Sequence, residues 1–389
     1  MPLTQQEKLT AMEARLGLNH DQDTLRKWLE HDFNRTGFSR SIHVAGTNGK
    51  GSVITWLECL LHAAGSTSGS FISPHLITHN ERFRLDGKPI TLDEWETVFD
   101  TLDPSFETRN MTMFEMDLFM AVSIFDAHQP DWTLIETGLG GTYDATTAMD
   151  YPIGIITRIG MDHMGYLGNT KEEIARAKAG IIKSGMTIIT AEPDPACVQI
   201  FKEQADACNA KLIEADTHTA LDEGIWSGEL PAYQKENFIT AKTALEAAGF
   251  AFTNAQLKEA VERFSWPARF QMLRRDPMLL LDGAHNPDGI QALVSSLKQS
   301  LLQIEQIFFS VLADKQAHEM IGMLQTLDCP ITLVRFESYR LAELDELAQT
   351  YDMKVISMED MLKELHSTDK STLCCGSLYF AGEILAHFS

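Results

Sequence analysis

The residues best placed to do chemistry lie in the run Ile42-His-Val-Ala-Gly-Thr-Asn-Gly-Lys-Gly-Ser-Val53. An apolar strand runs into a glycine-rich turn, Lys50 follows, and an apolar stretch of helical period comes next. Glycines let the backbone curl so that several N–H groups point at one anion. The start of the helix adds its partial positive charge, and a lysine there reaches the outer phosphates of a nucleotide. The literal Walker pattern is not met: Val44 stands where its first Gly belongs, and Gly51 follows Lys50 where Ser or Thr would stand. Strand, lysine and helix in this order still make Thr47, Asn48, Gly49, Lys50, Gly51 and Ser52 an ATP-phosphate loop rather than an ordinary turn. Glu136 closes the apolar run Trp132–Glu136. Ligands of α/β sheets collect at the carboxyl ends of strands. A carboxylate there is either a helix cap or, beside a phosphate loop, an oxygen donor for Mg²⁺.

Such groups need a frame. Short β-branched runs at Ser41–Ala45, Ser68–Ile72, Trp132–Glu136, Pro152–Thr157 and Thr187–Thr190 alternate with helical patterns at Lys50–Ala64, Thr112–His128 and Lys171–Lys183. The pattern restarts with Met278–Asp282, a helix from Pro287, Gln306–Val311, a helix from Lys315, Ile331–Phe336, a helix from Leu341, and Lys354–Ser357. It ends with Ser371–Cys375 and a last helix. Alternating β and α units predict mostly parallel sheets covered by helices on both faces. The segment from Trp266 to Pro277 reads as a linker, dividing the chain into domains 1–270 and 271–389.

With 389 residues, 44% hydrophobic and 22% charged, the composition is that of a globular protein of two domains. A net charge of −23 argues against a nucleic-acid partner, because phosphate backbones are bound by clustered Lys and Arg. It does not exclude ATP, for which a local nest of N–H groups, a lysine and metal ions supply the positive potential. No window approaches the roughly 18 apolar residues of a membrane helix, and the polar start MPLTQQEKLT does not resemble a signal peptide. Six cysteines without a repeated spacing read as reduced thiols. These features predict a cytoplasmic protein.

Further along stand Ile72-Ser-Pro-His-Leu76, Glu81-Arg82, Thr112-Met-Phe-Glu115 and Glu136-Thr-Gly-Leu-Gly-Gly141 with Asp144-Ala-Thr146. Asp162-His163, Lys178-Ala-Gly-Ile181, Trp266-Pro-Ala-Arg269, Asp282-Gly-Ala-His-Asn-Pro287 and Gly376-Ser-Leu-Tyr379 complete the series. In this order and spacing they resemble the folylpolyglutamate and dihydrofolate synthases of the Mur ligase superfamily, from about His43 to Glu383. The resemblance implies an amino-terminal P-loop ATPase-like domain and a smaller, carboxy-terminal Rossmann-like domain that closes over ATP. It implies ATP-dependent ligation of L-glutamate to a folate, or to dihydropteroate, through an acyl phosphate, by a monomer.

By the same resemblance, two Mg²⁺ ions are held by Ser73, Glu136, His163 and Lys178, the lysine being carbamylated by CO₂. Read alone, Lys178 is a helix-surface lysine in a run with Lys171 and Lys183, and His163 an ordinary surface or core histidine. Carbamylation needs a neutral amine, which nearby cations or burial favour. The resemblance further implies that Asn237, Arg269 and Asp282 bind ATP and that His285 and Ser377 hold glutamate. It places Thr112, Phe114, Glu115, Tyr143 and Ala145 along the pterin pocket. The chain departs from the family pattern at Thr142 and Thr147, where Arg and Asn are usual, at Ala177 for Glu, Tyr233 for His, and Ala268 for Gly. The first two adjoin the folate pocket and bear on substrate preference. Two other readings stand beside this one: a Mur-type ligase acting on a peptidoglycan precursor, and a non-catalytic nucleotide-binding paralogue.

Overall fold

A computed structural model of the chain describes residues 4–17, 20–33, 39–218, 224–226, 230–300, 302–338 and 340–388. It divides into two compact units: Met1–Ile159, His163–Ser227 and Glu236–Phe264 form the first; Gly160–Asp162, Gly228–Lys235 and Ser265–Ser389 form the second.

The strands of the first unit are β1 (Ser41–Ala45), β2 (Ser68–Phe71), β3 (Phe83–Leu85), β4 (Lys88–Pro89), β5 (Trp132–Glu136), β6 (Ile153–Ile156), β7 (Thr187–Thr190) and β8 (Lys211–Glu214). They form one eight-stranded sheet in the order β4-β3-β2-β5-β1-β6-β7-β8. The stretch from β2 to β8 is parallel, while β3 and β4 add an antiparallel edge. Every residue of β1 and β5 is buried, which is why both read as nearly continuous apolar runs. The helix Lys50–Ala63 buries Ser52 through Leu61. Its Trp56 stacks on Phe264 at 3.7 Å and meets Phe238 edge-on at 5.0 Å.

From β1 the chain steps past the place of β5 to reach β2; from β5 it steps back past β1 to reach β6. The two connections leave the carboxyl ends of neighbouring strands in opposite directions. This is the switch point at which open α/β sheets bind ligands.

In the second unit the strands are β9 (Gln271–Arg275), β10 (Met278–Leu281), β11 (Gln306–Phe309), β12 (Ile331–Arg335), β13 (Lys354–Ser357) and β14 (Thr372–Cys375). They form a six-stranded sheet in the order β13-β12-β11-β14-β10-β9, parallel except for β9. Leu280, Ile307, Phe309, Leu333 and Leu373 from the sheet pack with Ile290, Leu293, Met320 and Leu324 from covering helices.

The expected linker proves to hold a strand. Gln271–Arg275 turns back at Asp276-Pro277 and pairs antiparallel with β10, so this segment belongs to the second unit, whose longest stretch runs from Ser265 to Ser389. The helix expected over Lys171–Lys183 ends at Ala179. Glycine, a poor helix former, stands at its cap, and Gly180 is pressed against Thr142 where a β-carbon would not fit. Among the described residues no helix is long and apolar enough to cross a membrane.

Candidate active site

The loop after β1 is shaped by close approach. Gly46 has φ 149° and a β-carbon there would be driven into the Thr157 hydroxyl. That hydroxyl donates to the Asn48 carbonyl at 2.8 Å, and the Thr47 and Asn48 amides both donate to the Arg158 carbonyl, at 3.0 and 3.4 Å. Gly49 caps the helix Lys50–Ala63 in the left-handed region, φ 93°. A side chain at Gly49 would meet the Asn237 amide oxygen at 2.7 Å, so the fold brings Asn237 against the phosphate loop. Gly51 and Ser52 share the first helical turn with Lys50, where amides have no intrahelical carbonyl to serve.

Three charged side chains gather at this loop. Lys50 Nζ donates to the Gly46 carbonyl at 3.2 Å and lies 3.7 Å from Glu136 Oε1. Glu136, 4% exposed at the end of β5, accepts from the Ser73 amide at 3.2 Å through Oε2. Lys178 is not a surface lysine: it is 4% exposed and its Nζ donates to the same Gly46 carbonyl at 2.8 Å. The helix that carries it is held to the loop after Glu136, because Thr142 N and Oγ1 both donate to the Ala177 carbonyl, at 2.9 and 3.0 Å. Gly141 allows that approach, since a β-carbon there would sit 2.8 Å from the Lys178 carbonyl.

Glu136 and Ser73 supply oxygen donors, which suit a hard divalent ion. Among the described residues no three His, Cys, Asp or Glu side chains converge on one point. Mg²⁺ sites often lack such a cage, because one or two carboxylates are completed by waters and substrate phosphates. His163 is exposed, in the left-handed region at φ 52°, and caps the short helix Met164–Leu167.

Of the pocket residues, Thr112 and Glu115 form a capping box at the start of the helix Met113–His128. Glu115 is buried and also accepts from the His20 amide at 3.0 Å, with His20 Nδ1 at 3.1 Å from its other oxygen. Phe114 lies against Gly138 so closely that a β-carbon would meet its ring at 2.5 Å. Ala145 is buried, and Tyr143 is 80% exposed. Beneath them, Asp144 accepts from the Leu139 amide at 2.8 Å and from Thr146, whose hydroxyl also meets His43 Nε2 at 2.8 Å. Burial raises the Asp144 carboxyl above its ordinary range.

In the second unit, Asp282 follows β10 and is buried. Its Oδ1 accepts from the Ala284 amide at 2.8 Å; its Oδ2 accepts from the Phe270 amide at 2.7 Å and the Tyr233 hydroxyl at 2.9 Å. Burial pushes this carboxyl upward, and neighbouring Arg269 opposes the shift. The Gly376 amide donates to the Ala284 carbonyl at 3.0 Å, which sets the loop carrying Ser377 beside the one carrying His285. His285 Nε2 is 3.5 Å from Asp162, which also meets the Lys315 ammonium at 2.5 Å.

Lys315 is a residue that sequence reasoning took only as a helix start. Its position after β11, among loops at strand carboxyl ends, was the available signal. Thr157 and Tyr233 were likewise missed as supports, and nothing in their local sequence announces the contacts they make.

Residues 44–241 match the sequence profile of the Mur ligase middle domain. A dihydrofolate synthase/folylpolyglutamate synthase of Bacillus subtilis is 33% identical over 387 residues, covering 89% of this chain and 89% of that protein. A folylpolyglutamate synthase of Lacticaseibacillus casei is 31% identical over 76% of each chain. The crystal structure of a bifunctional folylpolyglutamate synthase/dihydrofolate synthase with Mn, AMPPNP and L-glutamate bound superposes with a TM-score of 0.87 at 26% identity, over 97% of this chain and 96% of that one.

Proposed function

Because the chain belongs to the folylpolyglutamate and dihydrofolate synthase family of Mur ligases, we propose that it joins L-glutamate to a folate at the expense of ATP, with dihydropteroate as a second acceptor. The observation that carries this reading is the meeting of Lys50 and Lys178 on the Gly46 carbonyl, with Glu136 3.7 Å from Lys50, at the switch point of the sheet.

In this reading the folate carboxylate attacks the γ-phosphorus of ATP, ADP leaves, and an acyl phosphate remains. The glutamate ammonium gives up one proton to solvent and the free amine attacks the acyl carbon; phosphate departs with its bonding electrons, and the nitrogen sheds a second proton to solvent to leave the amide. Lys50 and the first-turn amides of its helix hold the phosphates and offset the charge that spreads over the transferring group. Glu136, Ser73 and His163 would hold Mg²⁺, with carbamylated Lys178 serving a second ion; when bound, the metal adds charge neutralisation at the phosphates. Asn237, Arg269 and Asp282 would fix the nucleotide. Phe114 and Tyr143 offer aromatic surface to the pterin, with Thr112, Glu115 and Ala145 shaping the wall behind them. His285 and Ser377 would receive the glutamate, and Lys315 places a cation beside them. We take residues 1–270 as the ATP- and folate-binding domain, residues 271–389 as the glutamate-binding domain, and the enzyme as a cytoplasmic monomer by family resemblance.

The test is ADP release with ATP, Mg²⁺ and L-glutamate against a panel of dihydropteroate, dihydrofolate, tetrahydrofolate and its one-carbon forms, beside a nucleotide-linked peptidoglycan precursor. Release with a reduced folate, falling roughly 10²-fold or more in folded Lys50→Ala, is the expected result. Release with the peptide precursor alone would replace this reading with the Mur-type one, and no stimulated release at all would leave the non-catalytic reading.

A further inference from the structure

Asp282 is held by a side chain 49 residues away in the sequence. The carboxylate has about four acceptor positions, and the structure fills three of them: two with backbone amides of Phe270 and Ala284, one with the phenol of Tyr233. The amides are fixed by the fold. The phenol is the one side-chain donor among the three, and it reaches Asp282 from the helix Ala232–Ala247, far away in sequence. A half-buried tyrosine whose hydroxyl donates at 2.9 Å to a buried carboxylate sets both the rotamer and the charge distribution of that carboxylate.

We propose that Tyr233 is a positioning residue for nucleotide binding: its hydroxyl holds Asp282 so that the remaining acceptor position faces the nucleotide. This rests on the reading of Asp282 as an ATP ligand. The role is one of donating a single hydrogen bond to a carboxylate. Without the hydroxyl, each carboxylate oxygen keeps one amide, but the position on Oδ2 that the phenol filled is left open, so the carboxylate is held less firmly and its charge is less well placed toward the ligand. The consequence falls on binding more than on chemistry, because Asp282 does not touch the transferring phosphoryl group in this scheme.

The experiment uses the full chain with two variants, Tyr233→Phe and Asp282→Asn. Binding of AMPPNP with Mg²⁺ is read by calorimetry, and KM for ATP and kcat by ADP release. Tyr233→Phe should weaken AMPPNP and raise KM for ATP about tenfold, the size of one hydrogen bond to a charged group, with kcat at saturating ATP within about twofold. Weaker AMPPNP binding by a Tyr233→Phe protein whose Tm is unchanged is a result that a merely structural contact would not give. If Asp282→Asn weakens AMPPNP while Tyr233→Phe binds as the unaltered protein does, the positioning role is overturned and the reading of Asp282 survives. If Asp282→Asn itself binds normally, that reading falls and the proposal with it. A Tyr233→Phe protein that merely melts earlier, with affinity unchanged, also overturns it.

Discussion

Replacing Lys178 separates a side chain that works through a carbamate from one that simply anchors the loop. Its ammonium lies 2.8 Å from the Gly46 carbonyl in a position 4% exposed. Lys178→Ala removes a charged donor, a bond worth about 1.5–3 kcal/mol. Lys50 still donates to the same oxygen from 3.2 Å, so the carbonyl is not stranded and the loss should sit near 2 kcal/mol. Lys178→Arg keeps charge and donors but forces a longer, planar group into a filled space, at about 1–3 kcal/mol. Against a domain stability of roughly 5–15 kcal/mol both variants should fold. Turnover then decides. A guanidinium keeps its proton and cannot take up CO₂, so if the carbamate is what matters, both variants lose roughly 10²-fold or more. Short carboxylates should restore part of the activity to Lys178→Ala, whose space is vacant, and none to Lys178→Arg. The assays are ADP release at saturating substrates, Tm, and intact mass for an added CO₂. A stable Lys178→Arg protein turning over at the unaltered rate would refute the reasoning and leave Lys178 as an ammonium anchor.

Two other outcomes follow from the same geometry. Gly46→Ala should lose at least about tenfold in AMPPNP affinity by calorimetry, at the scale of one or more lost loop contacts, because its β-carbon collides with a Thr157 hydroxyl already committed to Asn48; unchanged affinity would contradict the loop geometry. Stability should fall on acidification: burial, with Lys183 nearby, lowers the His43 imidazole to about 3, whereas an unfolded histidine titrates near 6.5. Between those values the unfolded chain binds a proton that the native chain does not, so this contribution is complete above about pH 6.5 and declines by about 1.4 kcal/mol per pH unit below it. Urea midpoints at about pH 7 and about pH 5 should therefore converge in His43→Gln, though not wholly, since burial lowers His75 to about 3 as well; an unaltered pH slope would count against the argument.

How much of this was legible beforehand depends on where each residue's partners lie in the chain. The β1 strand, its turn and the helix from Lys50 are contiguous, and the strands Trp132–Glu136 and Thr187–Thr190 fall where their apolar runs predict. Buried parallel strands announce themselves because both faces must be apolar. The edges do not: β3, β4 and β9 are short or half exposed, and their pairing is set by turns. Lys178 shows the other limit. Its polar helix is surface-like by composition, yet the loop after Glu136 covers it, through Thr142 and Gly141. That contact spans 35 residues, and no local pattern encodes it. Family resemblance singled out Lys178, and the fold supplies the reason it is buried. Tyr233 and Asp282, 49 residues apart, are the same case: Tyr233 stood out only as a departure from the family pattern, and nothing near it in sequence points to Asp282.

The chain carries a net charge of −23, yet its candidate site must attract a polyphosphate. The resolution is one of distance. Exposed charges are screened over a Debye length of about 8 Å at physiological salt, so the acidic surface acts weakly on a ligand already in the loop. Within the loop, two ammonium groups and the start of a helix lie within a few ångströms of the Gly46 carbonyl, where screening is slight. Glu136 is the counterweight. At 3.7 Å from Lys50 and 3.2 Å from the Ser73 amide, it leaves neither its own charge nor that of Lys50 stranded in the interior. In the proposed reading, the same carboxylate that keeps the lysine in place would also be an oxygen donor for a divalent ion. Metal and phosphate arriving together would each take up one half of a pair that the fold already holds, so the loop need not be reorganised to receive them.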